Sequence, residues 1–200
     1  MNAAVIAPAE LERIFVDSGA LLNGHFALSS GLHSGQYFQC ALLLSEPALA
    51  ERLGLSLAES VPADWPVPDA VVGPALGGVV IGHEVARALR VRSFFTERKD
   101  GRMELRRGFS VRPKEKIIVV EDVITTGKSS GEVIRLLRDR GAEIIGLMSI
   151  VLRAETDPDL GIPIKSLARL PVTGFEPAAC PLCAEGIPVV KPGSRPAGTS

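Results

Sequence analysis

The sequence predicts an α/β fold, an open parallel sheet flanked by helices, and the order of its apolar segments is the main reason. Residues 117–120 are four β-branched side chains without polar alternation, which is typical of a parallel strand covered on both faces. Short apolar runs and helical patterns alternate along the chain, at 70–72, 79–89, 117–120, 129–140 and 144–151. Such alternation implies right-handed crossovers and a doubly wound sheet.

The N-terminal part of the chain predicts two further helices and a small hood. An amphipathic helix is expected near 8–17 and another helix at 46–59. Short segments at 25–28 and 36–40 flank a turn rich in Ser and Gly, and predict a small hairpin or a cap over another element. We assign this hood to about 20–45.

The whole chain, 1–200, is expected to form a single domain. A further strand is expected at Phe94-Phe95, and three prolines within 61–69 predict a loop. The last 43 residues hold 8 of the 15 prolines. This composition predicts an irregular tail at about 158–200 that is frayed from 191 onward.

Composition excludes several classes of protein. The 200 residues include 22 basic and 23 acidic side chains, and a net charge of -1 argues against a dedicated nucleic-acid binder, which would carry a basic excess. No apolar run approaches the roughly 18 residues of a membrane span, and the start of the chain lacks the basic region of a secretory signal. Three cysteines do not make a disulfide framework. We therefore expect a cytoplasmic protein that binds neither nucleic acid nor membrane.

The chemistry is expected beyond the carboxyl ends of the parallel strands, where ligands bind in open α/β sheets. Three segments occupy such places, at 73–78, 121–129 and 152–153. In the second of these, a buried strand leads through Glu121 and Asp122 into a turn of Thr, Gly and Ser at the start of a helix.

This turn, 125–129, has the composition of an anion site, because free backbone N–H groups, hydroxyls and the positive end of a helix converge there. The carboxylates before it would repel a phosphate, so we expect them to face neutral donors such as ribose hydroxyls. The segment therefore predicts a ribose-5-phosphate site, with an ordinary capped strand–turn–helix as the alternative. A Walker A loop is excluded, because Asp122 stands where that motif requires glycine, five positions before Gly127.

Residues 119–130 resemble the phosphoribosyl-diphosphate (PRPP) signature of the type I phosphoribosyltransferases, an apolar strand followed by two acids and a Thr/Gly-rich loop. From about 21 to 153 the chain is similar, more narrowly, to the orotate phosphoribosyltransferase family. The resemblance implies transfer of the 5-phosphoribosyl group from PRPP to orotate, giving orotidine 5′-phosphate and diphosphate in UMP biosynthesis. It also implies Mg²⁺, bound mainly through PRPP and diphosphate, and a homodimer. The alternatives are a transferase for another base and a PRPP-sensing regulator without turnover.

The resemblance also implies which residues bind the two substrates. PRPP would be bound by Pro74, Ala75, Leu76, Gly77, Glu121, Asp122, Val123, Ile124, Thr125, Thr126, Gly127, Lys128 and Ser129. Orotate would be bound by Ser29, Tyr37, Phe38, Thr125 and Arg153. An arginine suits a carboxylate because its planar guanidinium donates two parallel hydrogen bonds. The alternative role of Arg153 is an ion pair on the surface.

A basic segment at 97–107 carries five basic and three acidic residues with almost no apolar anchor, and predicts a mobile loop. The resemblance implies that this loop closes over the active site of the neighbouring subunit, where Arg98, Lys99 and Arg102 supply catalytic cations to the diphosphate. Many members of the family carry histidine where this chain has Glu104. The alternative is a solvated charged hairpin.

The remaining histidines and cysteines receive no chemical role from the sequence. His83 lies within a predicted helix and is expected to be structural. His25 and His33 flank the hood, and nothing in the sequence requires either to touch a ligand. Cys180-x-x-Cys183 is one half of a zinc-binding pattern without a second half, so we predict no metal-ligating residue, and metal or redox chemistry there is the lesser alternative.

Overall fold

The computed structural model describes residues 5–28 and 30–191. The helices are α1 (Pro8–Asp17), α2 (Cys40–Leu44), α3 (Pro47–Glu59), α4 (Gly77–Leu89), α5 (Lys128–Arg138) and α6 (Pro181–Ala184), with a 3-10 turn at Pro177–Ala179. The strands are β1 (Leu21–Ala27), β2 (His33–Phe38), β3 (Ala70–Pro74), β4 (Arg92–Lys99), β5 (Arg102–Leu105), β6 (Lys116–Ile124), β7 (Glu143–Leu152), β8 (Ile164–Arg169) and β9 (Gly174–Phe175). Within the described residues, no helix has the length and apolar character needed to cross a membrane. The expected orotate contact of Ser29 and most of the expected frayed end, 192–200, lie outside the described residues.

The main sheet contains six strands in the spatial order β5-β4-β3-β6-β7-β8. β3 pairs in parallel with β4 and β6, and β7 pairs in parallel with β6 and β8. β5 runs antiparallel to β4 at the edge. The predicted α/β class is confirmed, although the antiparallel edge makes the sheet mixed. Because the strand order reverses between β3 and β6, the ends of these two strands border the kind of crevice that binds ligands in such folds.

The central strand β6 is covered on both faces, as its unbroken apolar run predicts. Ile118 and Val120 lie in one core cluster with apolar side chains of α3 and α4. Ile117 and Val119 lie in a second cluster with side chains of α5. Burying each of these side chains contributes about 1.5–3 kcal/mol. The two clusters thus hold the end of β6, and the residues that follow it, in a fixed place.

The hood is a separate three-stranded sheet in the order β1-β2-β9. β1 and β2 form the antiparallel hairpin that was expected on either side of the Ser/Gly turn. β9 comes from the C-terminal tail and pairs with the start of β2 at His33 and Ser34. Val190, farther along the tail, bridges to Phe26. The hood is therefore built from both ends of the described chain.

The C-terminal tail is not irregular throughout, and that part of the prediction is wrong. β8 adds a parallel strand to the main sheet beside β7. Ala168 on this strand is buried and packs in the first core cluster, whereas its neighbours are partly exposed, as on an edge strand. Pro163 and Pro171 lie just outside β8, so they limit the pairing without interrupting it.

The basic segment 97–107, predicted as a mobile loop, contains a β-hairpin. β4 and β5 pair along its length, with Lys99 opposite Arg102 next to the turn. Met103 and Leu105 anchor the hairpin, because both pack against the second core cluster. The composition of the segment did not predict these two apolar anchors, because charged residues surround them in the sequence. The alternative of a charged hairpin is the one that the structure adopts.

Candidate active site

A polar cavity of about 380 Å³ lies at the carboxyl end of β6, and we call it the phosphate-loop cavity. Most of its wall is the turn that joins β6 to α5. The lining residues are Ser30, Arg98, Glu121, Val123, Ile124, Thr125, Thr126, Gly127, Lys128, Ser129 and Ser130. The segment predicted to bind PRPP therefore forms one continuous wall, from which Asp122 alone of residues 121–129 is turned away.

The shape of this turn depends on Gly127, the residue before α5. Its φ of +72° lies in the left-handed region that favours glycine. A Cβ at this position would lie 3.0 Å from the ring of Pro158, so a side chain would be crowded as well as strained. The first-turn amides at Lys128 and Ser129 have no partner within the helix. Both residues line the cavity. The amide of Lys128 donates only a long hydrogen bond, 3.4 Å, to Oγ1 of Thr126, so an anion could replace that acceptor.

Glu121 is a buried carboxyl in the wall of the phosphate-loop cavity. The hydroxyl of Ser130 donates a hydrogen bond of 2.5 Å to its Oε1. Burial raises the pKa of Glu121 to about 7, against the lowering effect of the Ser130 hydrogen bond, and the nearby Asp122 carboxylate adds to the rise. Hydroxyl donors brought by a ligand would stabilise the ionised form of this group.

A second cavity, of about 160 Å³, lies beside the first, and we call it the Arg153 cavity. Its lining residues are Leu28, Tyr37, Phe38, Asp122, Val123, Thr125 and Arg153. The structure thus brings together all the residues expected to contact orotate except Ser29, which lies outside the described residues. They come from the hood, the end of β6 and the end of β7.

Arg153 is a buried guanidinium with part of its hydrogen-bonding capacity unused. Its Nη2 donates to the carbonyl of Gln36 at 3.1 Å and to Oγ of Ser34 at 3.5 Å. Its guanidinium carbon lies 5.4 Å from the centroid of the Phe38 ring. Its Nε is buried and has no hydrogen-bond partner among the residues that the structure describes. Burial lowers the pKa of Arg153, and an anionic acceptor in the cavity would stabilise the charged form.

Two further polar side chains face the Arg153 cavity. Burial raises the pKa of Asp122, whose Oδ1 accepts a hydrogen bond of 2.9 Å from the amide of Val123. Burial, and then the charge of Asp122, also raises the pKa of Tyr37, so its phenol remains a neutral donor. The cavity therefore offers donors and an acceptor to one small planar ligand.

The two cavities meet at the end of β6, because Val123 and Thr125 line both of them. Glu121 and Asp122 face different cavities, since successive side chains of a strand point to opposite faces. Both acids were expected to face the hydroxyls of a single ribose. In the structure they lie on either side of the junction.

The predicted diphosphate loop, 74–77, borders a different space. A mostly apolar cavity of about 510 Å³ is lined by Ala41, Leu44, Ser45, Ala75, Leu76, Gly77, Val79, Val80, Phe95, Glu97 and Arg107. Leu76 is 87% exposed there. Gly77 is where this loop meets the wall of the Arg153 cavity, because a Cβ at Gly77 would lie 2.4 Å from a carboxylate oxygen of Asp122.

Of the three predicted catalytic cations, the structure brings Arg98 to the phosphate-loop cavity. Its Nη2 lies 2.7 Å from Oε2 of Glu132, an ion pair whose geometry is not that of a hydrogen bond. Its Nη1 donates to the carbonyl of Gly101 at 2.6 Å. Lys99 and Arg102 lie exposed at the end of the hairpin and line neither the phosphate-loop cavity nor the Arg153 cavity.

Five residues of the site lie in the resembling segments 28–38 and 119–130 but were assigned no individual role: Leu28, Ser30, Ser34, Gln36 and Ser130. Ser130 follows the phosphate loop directly, and a hydroxyl in the first turn of that helix was a usable signal. Ser34 and Gln36 hold Arg153 from across the hood. Nothing local to either residue indicates that contact, because it joins positions more than 100 residues apart.

Comparisons with known proteins agree on one family. Residues 47–171 match the family model described as "Phosphoribosyl transferase domain". The chain is 52% identical over 186 residues to an orotate phosphoribosyltransferase of Carboxydothermus hydrogenoformans, covering 93% of this chain and 97% of the relative. It is 51% identical over 183 residues to one of Caldicellulosiruptor bescii, covering 92% and 95%. The crystal structure of orotate phosphoribosyltransferase from Aeropyrum pernix matches with a TM-score of 0.64 and 28% identity, over 80% of this chain and 93% of that one. The chain therefore belongs to the orotate phosphoribosyltransferases, within the phosphoribosyl transferase domain family.

Proposed function

We propose that the two joined cavities at the end of β6 are the place where this member of the orotate phosphoribosyltransferases carries out its reaction. In that reaction the 5-phosphoribosyl group of PRPP passes to orotate, giving orotidine 5′-phosphate and diphosphate in pyrimidine biosynthesis. The junction at Val123 and Thr125 is the observation that carries this proposal. It joins an anion site to a small site with a buried guanidinium. The product needs both, because a sugar phosphate is bonded in it to a planar base that carries a carboxylate.

The phosphate-loop cavity supports binding of the ribose 5-phosphate. The phosphate would accept hydrogen bonds from the first-turn amides of α5 and from the hydroxyls of Thr125, Thr126 and Ser129. The ribose hydroxyls would donate to Glu121, whose buried carboxyl lacks solvent donors. The Ser130 hydrogen bond holds that carboxyl in place, so its free oxygen is already oriented.

The Arg153 cavity supports binding of orotate. Nε of Arg153 and a terminal nitrogen of its guanidinium would hold the orotate carboxylate side by side. Tyr37 and Phe38 would contact the planar ring. A base without a carboxylate would leave a buried guanidinium without an anion, which strongly disfavours such a substrate.

The reaction exchanges one bond at the anomeric carbon of the ribose for another. The bond from this carbon to the diphosphate oxygen breaks, with oxocarbenium character at the sugar, and a bond to the ring nitrogen of orotate forms. The carboxylates of Glu121 and Asp122 are the oxygen ligands that this chain could offer to Mg²⁺, which would be held largely by PRPP itself and would neutralise part of the diphosphate charge. Because orotate is an anion, this chain's residues need to orient it more than to deprotonate it.

The basic hairpin supports a shared site in a dimer. Lys99 and Arg102 are exposed and line neither joined cavity of their own subunit, so they are free to reach diphosphate across an interface. The apolar cavity below the diphosphate loop offers such an interface, with Leu76 87% exposed and Val80 42% exposed. Arg98 would serve the phosphate-loop cavity itself.

The proposed activity is tested by following the ultraviolet absorbance of orotate in the presence of PRPP and Mg²⁺. We expect consumption of orotate that depends on PRPP, and none of uracil or hypoxanthine. Consumption of another base but not of orotate would overturn the assignment of the Arg153 cavity. Tight binding of PRPP without turnover of any base would favour the regulator.

The shared site is tested by mixing two inactive variants, Lys99→Ala and Asp122→Ala, under conditions in which subunits exchange. A hybrid dimer holds one intact site, so we expect part of the activity to return. No recovery, with exchange demonstrated by differently tagged subunits, would show that each site is complete within one chain.

A further inference from the structure

Four side chains with strong metal affinity meet where the hood joins the C-terminal tail. They are His25 and His33 of the β1–β2 hairpin and Cys180 and Cys183 of the tail, and one ligand atom from each lies within 4.8 Å of all the others. Cys180-x-x-Cys183 was interpreted as half of a zinc-binding pattern without a second half, but in the structure two histidines lie beside it. The second half lies about 150 residues earlier in the chain.

The separations between these atoms are close to those of one tetrahedral zinc ion. Zn–N bonds of about 2.0–2.1 Å and Zn–S bonds of about 2.3 Å place S and N ligands about 3.6 Å apart and two N ligands about 3.4 Å apart. Three of the four S···N distances are 3.5 Å (Cys180 to His25), 3.7 Å (Cys183 to His25) and 3.3 Å (Cys183 to His33). The fourth, from Cys180 to His33, and the distance between the two sulfurs are within 4.8 Å. The His25 Nε2–His33 Nδ1 distance is 2.9 Å, so these nitrogens need to part by only about 0.5 Å.

His25 is oriented as a metal ligand by a second contact. Its Nδ1 lies 2.7 Å from the carbonyl oxygen of Ile187, and an N–H at Nδ1 donates to that oxygen. This hydrogen bond leaves the lone pair of Nε2 directed at the two sulfurs. Metal-bound histidines usually have such a partner, which fixes the tautomer and the ring orientation. His25 and Cys180 are also buried, so half of the ligand set is shielded from water.

The backbone holds the cysteines as a compact pair. Cys180 caps α6, and the amide of Ala184 donates to its carbonyl at 3.2 Å. Gly186 ends the turn with a φ of +72°, and the amide of Val190 donates to the carbonyl of His25 at 2.8 Å. The tail is thereby returned to the strand that carries the first histidine.

We propose that His25, His33, Cys180 and Cys183 bind one zinc ion, in a structural site outside the catalytic cavities. The set is two imidazoles and two thiolates with no open position, which is typical of structural rather than catalytic zinc. Each thiol loses its proton to solvent as its sulfur binds zinc, and no oxidation or reduction occurs. A redox-active cysteine pair would not need two oriented histidines at bonding distance.

The zinc site lies next to the residues that hold Arg153. His33 begins β2, and the next residue, Ser34, together with Gln36, contacts the Arg153 guanidinium. Zinc would therefore tie the hood to the tail and keep these contacts in register. We expect its removal to raise the KM for orotate and to leave the affinity for PRPP unchanged, because the phosphate-loop cavity rests on the main sheet.

The first test is metal content, which does not depend on transferase activity. The purified full chain, loaded with Zn²⁺ and dialysed, is analysed by atomic emission. We expect one zinc per chain, lost in Cys183→Ser and in His33→Asn. The chain supplies matched controls, since of its three cysteines and three histidines Cys40 and His83 lie outside the site. Cys40→Ala and His83→Asn should keep the zinc.

The second test uses Co²⁺ and thiol reactivity on the unmodified sequence, so it does not require a variant to fold. Co²⁺ in the zinc-free protein should give the intense visible absorption of tetrahedral cobalt with thiolate ligands. Zinc should protect the exposed Cys183 from a thiol reagent, and a chelator should restore its reactivity while circular dichroism shows the chain still folded. Zinc well below one per chain after loading, a cobalt spectrum of octahedral type, or equal zinc in Cys183→Ser and the parent would each overturn the site.

Discussion

The two cavities that meet at the end of β6 are built in opposite ways. The phosphate-loop cavity takes most of its wall from one continuous segment, 121–130, which follows a strand held between two core clusters. The Arg153 cavity takes its wall from the hood and from the ends of two strands, which are far apart in the chain. We infer that the first is rigid and binds the sugar phosphate, and that the second depends on how the hood is seated and selects the base.

Arg153→Ala should have the largest effect of these variants, and it tests whether the two cavities bind orotate and PRPP separately. The variant loses the cation that is proposed to face the orotate carboxylate, so kcat/KM for orotate should fall about 1,000-fold, equivalent to about 4 kcal/mol. PRPP affinity, measured by calorimetry, should change less than the assay error, because the phosphate-loop cavity does not include Arg153. Arg87→Ala removes an exposed, ion-paired arginine on α4 and is the matched control. An equal loss of PRPP affinity in Arg153→Ala would show that the two cavities are not separable.

Glu121→Gln tests the rigid cavity through its pH dependence. Burial raises the folded-state pKa of Glu121 from 4.5 to about 7, so between these values the folded chain holds a proton that the unfolded chain has released. Wild-type stability therefore falls as the pH rises through this window. The Gln variant lacks the penalty and should be more stable than the parent by roughly 3 kcal/mol at about pH 8, with no difference below pH 4.5.

Urea unfolding of both proteins across this pH range measures the effect of Glu121→Gln. PRPP binding should weaken in the variant, because an amide accepts ribose hydroxyls less well than a carboxylate. Ser130 can still donate to the amide oxygen, so the local packing is retained. A stability difference that does not vary with pH would mean that Glu121 is not the titrating group.

Gly127→Ala tests two destabilising effects in the phosphate loop, the strain of a left-handed backbone and the crowding of a new side chain against Pro158. Left-handed backbone should cost roughly 1–2 kcal/mol of stability, measured by thermal unfolding, both here and in Gly161→Ala. Gly161 has a φ of +64° and open space around it, whereas a Cβ at Gly127 meets Pro158 at 3.0 Å. The Gly127 variant should therefore lose more stability and also PRPP affinity. Equal effects of the two variants would show that the contact with Pro158 is easily relieved.

Ser34→Ala should have the smallest effect of these variants, and it tests how the hood orients Arg153 in the Arg153 cavity. The variant removes the acceptor of a long hydrogen bond, 3.5 Å, from the Arg153 guanidinium, and of one from the amide of Gln36 at 3.2 Å, but it keeps the hydrogen bond that Arg153 donates to the Gln36 carbonyl. We expect a roughly two- to five-fold rise in the KM for orotate, in line with the loss of about 0.5–1 kcal/mol. Steady-state kinetics at saturating PRPP measures it. An unchanged KM would assign the orientation of Arg153 to the Gln36 contact alone.

The same contrast explains what could be predicted from the sequence. The strand at 117–120 and the loop at 125–129 were predictable because consecutive residues carry both signals, an apolar run and an anion-binding composition. Arg153 was placed correctly at a strand end, since β7 is also a mostly apolar strand, in which Gly146 and Ser149 interrupt the apolar side chains. In each case the structure adds distances to a pattern that is local in the chain.

What could not be predicted depends on pairings across the chain. Met103 and Leu105 lie among charged residues, so the composition did not predict that they anchor a hairpin. The prolines of the tail predicted irregular structure, so β8 was not expected to join the sheet. His25 and Cys180 are 155 residues apart and become neighbours only because β9 pairs with β2. No local periodicity signals such a contact, and the cost of closing a loop of that length is met only by the finished fold.

The pairing of the C-terminal tail with the hood determines the order in which parts of the protein can fold during synthesis. The amide of Ala27 donates to the carbonyl of Val190 at 2.9 Å, so the first hairpin is completed by nearly the last described residue. On the ribosome, the sheet as far as β7 can assemble while the hairpin still lacks its third strand, and contacts of such long sequence separation form late. In a nascent chain, the phosphate-loop cavity would therefore form before the Arg153 cavity. A messenger RNA truncated within the tail would encode a protein that binds PRPP but does not transfer its phosphoribosyl group to a base.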